Sequence, residues 1–135
     1  MADLRVVSVL ASPGACERVA DLPGGCRISP NEVMLLGDVS IEVVEHAVRA
    51  EDTDAVIVEV SEGWALVPLH GPRSREAFAR LSELSLPADG FVQGEVAGVG
   101  IRVLAAGEAI DLLVPAMVEA HVRERVELDC RGVLP

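Results

Sequence analysis

The stretch AVIVEVSEGWALVPLHGPRSREAFARL, Ala55 to Leu81, decides how the whole chain is read. Ala55 to Val60 is a β-branched run and reads as a strand. Ser61-Glu62-Gly63 is a turn, and Trp64 to His70 resumes an extended segment. Pro68 inside that segment has no amide to donate, which predicts an edge position or a bulge. Gly71-Pro72 opens a helix with proline in its first turn. On that helix Ser74, Ala77, Phe78 and Leu81 recur at helical spacing and form its apolar stripe. Arg73, Glu76 and Arg80 fall outside the stripe, with Glu76 and Arg80 placed at i, i+4 to pair.

Working toward the N-terminus, Ser40 caps a helix over Ile41 to Arg49. Ile41, Val44, Ala47 and Val48 share its apolar face; Glu42, Glu45, His46 and Arg49 face away. Val33 to Leu36 and Cys26 to Ser29 read as strands joined by a Pro30-Asn31 turn. Ser12, Pro13 and Gly14 start a short helix that Leu22-Pro23-Gly24-Gly25 ends, with Ser12 as its N-cap. Arg5 to Leu10 is a strand.

Toward the C-terminus, Pro87 to Gly90 is a loop. Val92 to Ala97, Ile101 to Leu104 and Ile110 to Val114 are strands separated by glycines. Pro115 opens a helix with Met117, Val118, Val122 and Val126 on one arc, which also takes in His121. Leu128 to Pro135 has room for one more short strand. The order is βαββαβ before Val60 and roughly βαββαβ again after Trp64. The fold class is therefore α+β, two tandem ferredoxin-like (split βαβ) units. Residues 1–135 form one domain with internal halves of about 4–60 and 64–135. A weak repeat agrees: LLGDVSIEVVEHAVR (Leu35 to Arg49) resembles LLVPAMVEAHVRE (Leu112 to Glu124), each a strand end running into a helix.

Composition narrows the function classes. The chain has 135 residues, half of them hydrophobic, with 22 acidic residues against 11 basic ones. There is no lysine and no tyrosine, and the only aromatics are Trp64, Phe78 and Phe91. A net charge of −11 is wrong for neutralising phosphates, so nucleic acid is not an expected partner. No apolar run reaches the roughly 20 residues that cross a bilayer. Asp3 and Arg5 interrupt the N-terminal segment, which reads as no signal peptide. Cys16, Cys26 and Cys130 make an odd count without CxxC spacing. That argues for a reducing, cytoplasmic setting, with the thiols as inert small hydrophobes.

No assembled active site is legible. His46, His70 and His121 have no mutual ligand spacing, and GxSxG, HExxH, P-loop and GxGxxG patterns are absent. Gly94-x-x-x-Gly98-x-Gly100 lies in a hairpin and does not open a helix, so it is no dinucleotide loop. Glu51-Asp52-Thr53-Asp54 is a solvated acidic loop, too short for a calcium site.

Three blocks carry a family resemblance. VEVSEGWALVPLHGPRSREAFARL (Val58 to Leu81) resembles the D-V-S-x-G-W … L-x-G-P-x-A signature of the aminomethyltransferase-like, folate-binding superfamily. Within it the chain is most similar to the gamma subunits of heterotetrameric sarcosine oxidase. ISPNEVMLLGD (Ile28 to Asp38) and VAGVGIRVLAAGEAIDLLVPAMVEAHV (Val96 to Val122) resemble two further blocks of that subunit, in the same order. Val33 departs from the family's tryptophan, Glu59 from its aspartate, and Ile110-Asp111 from its aromatic pattern. The resemblance implies a fold like the aminomethyltransferase N-terminal domain. It also implies a non-catalytic small subunit that supports assembly or stability of a flavin-dependent complex demethylating an N-methyl amine or amino acid.

By the same resemblance, FAD, FMN, NAD and tetrahydrofolate belong to larger flavoprotein and folate-binding partner subunits. This chain itself is expected to bind no cofactor or metal, and no residue carries over as catalytic. Trp64 and the turn His70-Gly71-Pro72-Arg73 are the candidate partner contacts, with Trp64 otherwise a core residue closing its strand. The alternative is a stand-alone binder with a remnant folate-like pocket built on His70, Glu95 and Arg102, or an assembly factor of the same superfamily.

Overall fold

The computed structural model describes residues 5–135. They divide into two compact units, residues 5–61 and 62–135.

The first unit runs β1 (Val6–Leu10), α1 (Pro13–Ala20), β2 (Gly25–Ser29), β3 (Glu32–Leu36), α2 (Ile41–Arg49) and β4 (Val56–Glu59). Its antiparallel sheet has the order β2-β3-β1-β4, the ferredoxin-like arrangement the element order implies. Both helix starts follow the sequence. The Ser12 hydroxyl accepts from the Ala15 amide and the Ser40 hydroxyl from the Val43 amide, satisfying donors the helix cannot pair internally. Val44 and Val48 are buried on α2, at about 2 kcal/mol each. They pack with Val7, Val9, Cys16, Val19, Val33 and Leu35. Gly24 is obligatory at the β2 entrance. Its φ is +81°, and a Cβ there would lie 2.1 Å from the Leu36 carbonyl oxygen.

The second unit runs β5 (Trp64–His70), α3 (Ser74–Leu81), β6 (Asp89–Val96), β7 (Val99–Ala106), β8 (Ala109–Pro115) and α4 (Glu119–Asp129). Its antiparallel sheet has the order β5-β8-β7-β6. The α3 stripe is as the spacing predicts: Ser74, Ala77, Phe78 and Leu81 are buried. Ala77, Phe78 and Leu81 join Val67, Leu69, Val103, Ile110, Leu112, Val114 and Val122 in the second core. Pro68 sits on an edge strand, where its missing amide costs no ladder bond.

Superposing the two orders explains the sequence repeat. β1, α1, β2, β3 and α2 correspond to β5, α3, β7, β8 and α4. In both units a hairpin returns a strand to the middle of the sheet, beside the first strand, and that strand feeds a helix. The fourth strand differs. The first unit adds β4 beside β1, whereas the second adds β6 beside β7, on the opposite edge.

Four expectations change in the second unit. No strand forms in the tail, because β6 already supplies the fourth; residues 131–135 are turn and coil. Residues Ala116–Val118 form a 3-10 turn, so Met117 leaves the apolar arc and is 90% exposed. His121 is exposed as well, with Nε2 3.2 Å from the Ala97 carbonyl oxygen. Glu76 pairs with Arg73 and not with Arg80. Arg80 instead donates to the carbonyls of Asp129, the last residue of α4, and of Arg131 just beyond it, where a cation complements the helix dipole.

Candidate functional site

The junction motif is structural at its first half. The Ser61 hydroxyl accepts from the Val6 amide at 2.8 Å and lies 3.0 Å from Glu59 Oε2. Glu59 also faces Arg5 at 3.5 Å. Val6 is wholly buried, so Ser61 supplies the acceptor for an amide that water cannot reach. The serine therefore fastens the end of β4 to the start of β1.

The second half of the motif places side chains on the sheet face opposite the α3–α4 core. Register sets Arg102 of β7 against Leu113 of β8, and Leu113 against Leu66 of β5. From the start of β5 the Trp64 ring reaches diagonally to Arg102, whose guanidinium carbon lies 4.6 Å from the ring centroid. Such a cation–π contact contributes about 0.5–1 kcal/mol at a partly exposed site. Trp64 is therefore half-buried against a cation on the outer face, not in the core. A cleft of about 350 Å³ opens beside it, lined by Trp64, Gln93, Gly94, Gly100, Ile101 and Arg102.

The turn after β5 lies at the other end of the strand, ~20 Å from Trp64 at the usual rise per residue. His70 Nε2 is 2.8 Å from Asp111 Oδ1 on β8. Gly71 has φ +133°, and a Cβ there would come 3.1 Å from the Pro135 ring. Pro72 is exposed. Arg73 donates to the Gly132 carbonyl at 2.9 Å and pairs with Glu76. The turn thus holds the tail of its own chain, and Trp64 and His70–Arg73 do not form one patch. Of the three polar groups assigned to a pocket, Glu95 and Arg102 stand on neighbouring strands of one face, but only Arg102 lines the cleft; Glu95 borders a separate depression at the end of α3. His70 is four positions along β5 from the residue aligned with Arg102, and it too lies outside the cleft.

Sequence reasoning missed Asp111 as the partner of His70 and Gln93 as a wall of the cleft. Both depend on strand register, which a sequence does not display. It also missed Arg123, which donates from α4 to the Leu66 carbonyl of β5 at 3.1 Å.

Chemically the described residues offer recognition groups. No cluster of three or more His, Cys, Asp or Glu among them could hold a metal ion. The three cysteines are buried thiols outside any disulfide. Desolvation pushes the Cys16 and Cys130 thiols up from their ordinary value, which disfavours the nucleophilic thiolate. No helix among the described residues is long and apolar enough to cross a membrane.

The fold recurs over the full chain in a chain of the heterotetrameric sarcosine oxidase from Corynebacterium sp. U-96, solved in complex with pyrrole 2-carboxylate. The chain has the fold of a sarcosine oxidase subunit. The TM-score is 0.78, and the match covers 100% of this chain and 84% of that one, so the sarcosine oxidase chain is only modestly longer. Identity is 14%, and the likeness is one of fold. No family model and no curated protein matches the sequence.

Proposed function

We propose that this chain is the small, non-catalytic gamma-type subunit of a heteromeric flavin-dependent oxidase of the sarcosine oxidase class. The complex removes a methyl group oxidatively from an N-methyl amine or amino acid, and this chain supports its assembly or stability. One observation carries the reading: the entire chain superposes on a comparably short chain of a heterotetrameric sarcosine oxidase. The three ordered sequence blocks support it independently. FAD, FMN, NAD and tetrahydrofolate then reside on the larger flavoprotein and folate-binding subunits, in the cytoplasm.

The test is an affinity tag on this chain in its native host. Co-purification of larger subunits with a flavin absorption spectrum, and loss of N-methyl amine oxidation on deleting the gene, are the expected results. A chain that purifies alone from cells that retain the oxidase activity rejects the reading.

The cleft beside Trp64 favours a second reading. A planar ring and a guanidinium along one wall suit a flat, anionic ligand such as a folate. Calorimetric titration with folinic acid decides it: heat that disappears in Trp64→Ala supports binding, and no heat rejects it.

A further inference from the structure

We propose that the outer edge of β4 receives an extended strand from a larger partner protein, apolar in its middle and flanked by arginine or lysine. This deepens the heteromeric-subunit reading and rests on it for the partner's identity. β4 is a terminal strand of its sheet, and among the described residues no strand pairs with its outer edge. The Val60 amide donates to the Val6 carbonyl at 2.8 Å, which fixes the alternation of the ladder. Val56 and Val58 therefore bond toward β1, and the backbone groups of Ile57 and Glu59 point to the open edge.

The side chains reinforce this. Val56 is 51% exposed, Val58 47%, and Leu10, directly opposite Val56, 49%. They share one face and form an apolar strip along the edge. The edge of β5 is protected by Pro68 and by the Arg123 guanidinium on Leu66; β4 carries no proline, and the one guanidinium on this side is Arg49, on the Ala55 carbonyl just before the strand begins. Carboxylates flank the strip, with Asp52 and Asp54 before it near Arg49 and Glu59 at its end facing Arg5, and the unit as a whole carries an acidic excess. Residues 1–61 hold eleven acidic residues against four arginines. A second copy would juxtapose like charges, whereas a strand with basic flanks complements them.

The experiment is amide hydrogen exchange at Ile57 and Glu59, in the free full-length chain and in the complex isolated from the native host. Exchange slowed about tenfold or more in the complex is expected. Val58→Arg should fold normally yet enter the complex about tenfold less, while Val43→Arg, on an exposed position of α2, enters as wild type. A complex that forms while both amides exchange as in the free chain overturns the proposal and leaves the subunit reading intact. If no complex forms, the subunit reading fails, and two peptides decide the edge. Arg-Arg-Val-Thr-Val-Thr-Val-Arg-Arg should slow both amides, and the same peptide with glutamates for arginines should not. Absence of any effect overturns the proposal. So does protection that rises with chain concentration as the protein sediments as a dimer.

Discussion

Among the described residues, at least seven of the eleven arginines donate side-chain N–H groups to backbone carbonyl oxygens. Arg75 shows what this does. Its guanidinium bonds the carbonyls of Gly107, Pro87 and Ala88 at 2.9–3.1 Å, tying the loop before β6 to the β7–β8 turn. A planar five-donor fork can serve three fixed carbonyls at once, and an ammonium cannot match that geometry. Arg75→Lys should therefore cost about 1 kcal/mol despite conserving charge, read as a lower urea midpoint with an unchanged m-value. Two serines make a sharper pair. Ser61→Ala strands the buried Val6 amide and should cost about 1–3 kcal/mol. The Ser74 hydroxyl is buried without any partner, so Ser74→Ala should stabilise by about 1 kcal/mol. Urea titration of both variants tests the opposite signs.

At the scale of elements, the sequence was legible wherever local chemistry decides. Serine caps, the Pro-Gly stop after α1 and the apolar spacing of α3 each depend on neighbours within one turn, and each is found as read. The start of α4 is different. Pro115, Met117 and Val118 fit a helix by pattern, yet the chain first makes a 3-10 turn that rotates Met117 into solvent. Hydrophobic periodicity carries little information in α4, where Val122 is the only buried residue. Met117→Gln should then change stability by less than about 0.5 kcal/mol, while Val122→Ala should cost about 2 kcal/mol. Thermal or urea denaturation distinguishes them, and similar losses in both would restore the helical arc. The site was less legible than the fold. Trp64 and Arg102 are 38 positions apart and meet only because β7 pairs with β8 and β8 with β5. Pairing order of that kind comes from the whole sheet, and no local pattern encodes it.

For the whole molecule, the missing lysine and tyrosine have a thermodynamic consequence. Between about pH 8 and pH 11 most proteins titrate lysine, tyrosine and cysteine together. With lysine and tyrosine absent, cysteine is the only side-chain type left whose ordinary value falls in that window. Cys16 lies in the first core and Cys130 in the second. Burial raises the pKa of each above the ordinary value of about 9. Below pH 9 the folded and unfolded chains both hold these protons, and the stabilisation is fully present. As pH rises past 9 the unfolded chain releases protons that the folded chain still keeps, which favours unfolding. Stability should therefore fall steadily from about pH 9 upward, until pH passes the raised folded values. Urea midpoints at pH 8, 9, 10 and 11 measure the fall. In a Cys26→Ala background, adding Cys16→Ala and Cys130→Ala should flatten the profile, although both substitutions lower stability at every pH. A slope that survives their removal would assign the alkaline loss to repulsion within a chain of net charge −11, which salt would then screen.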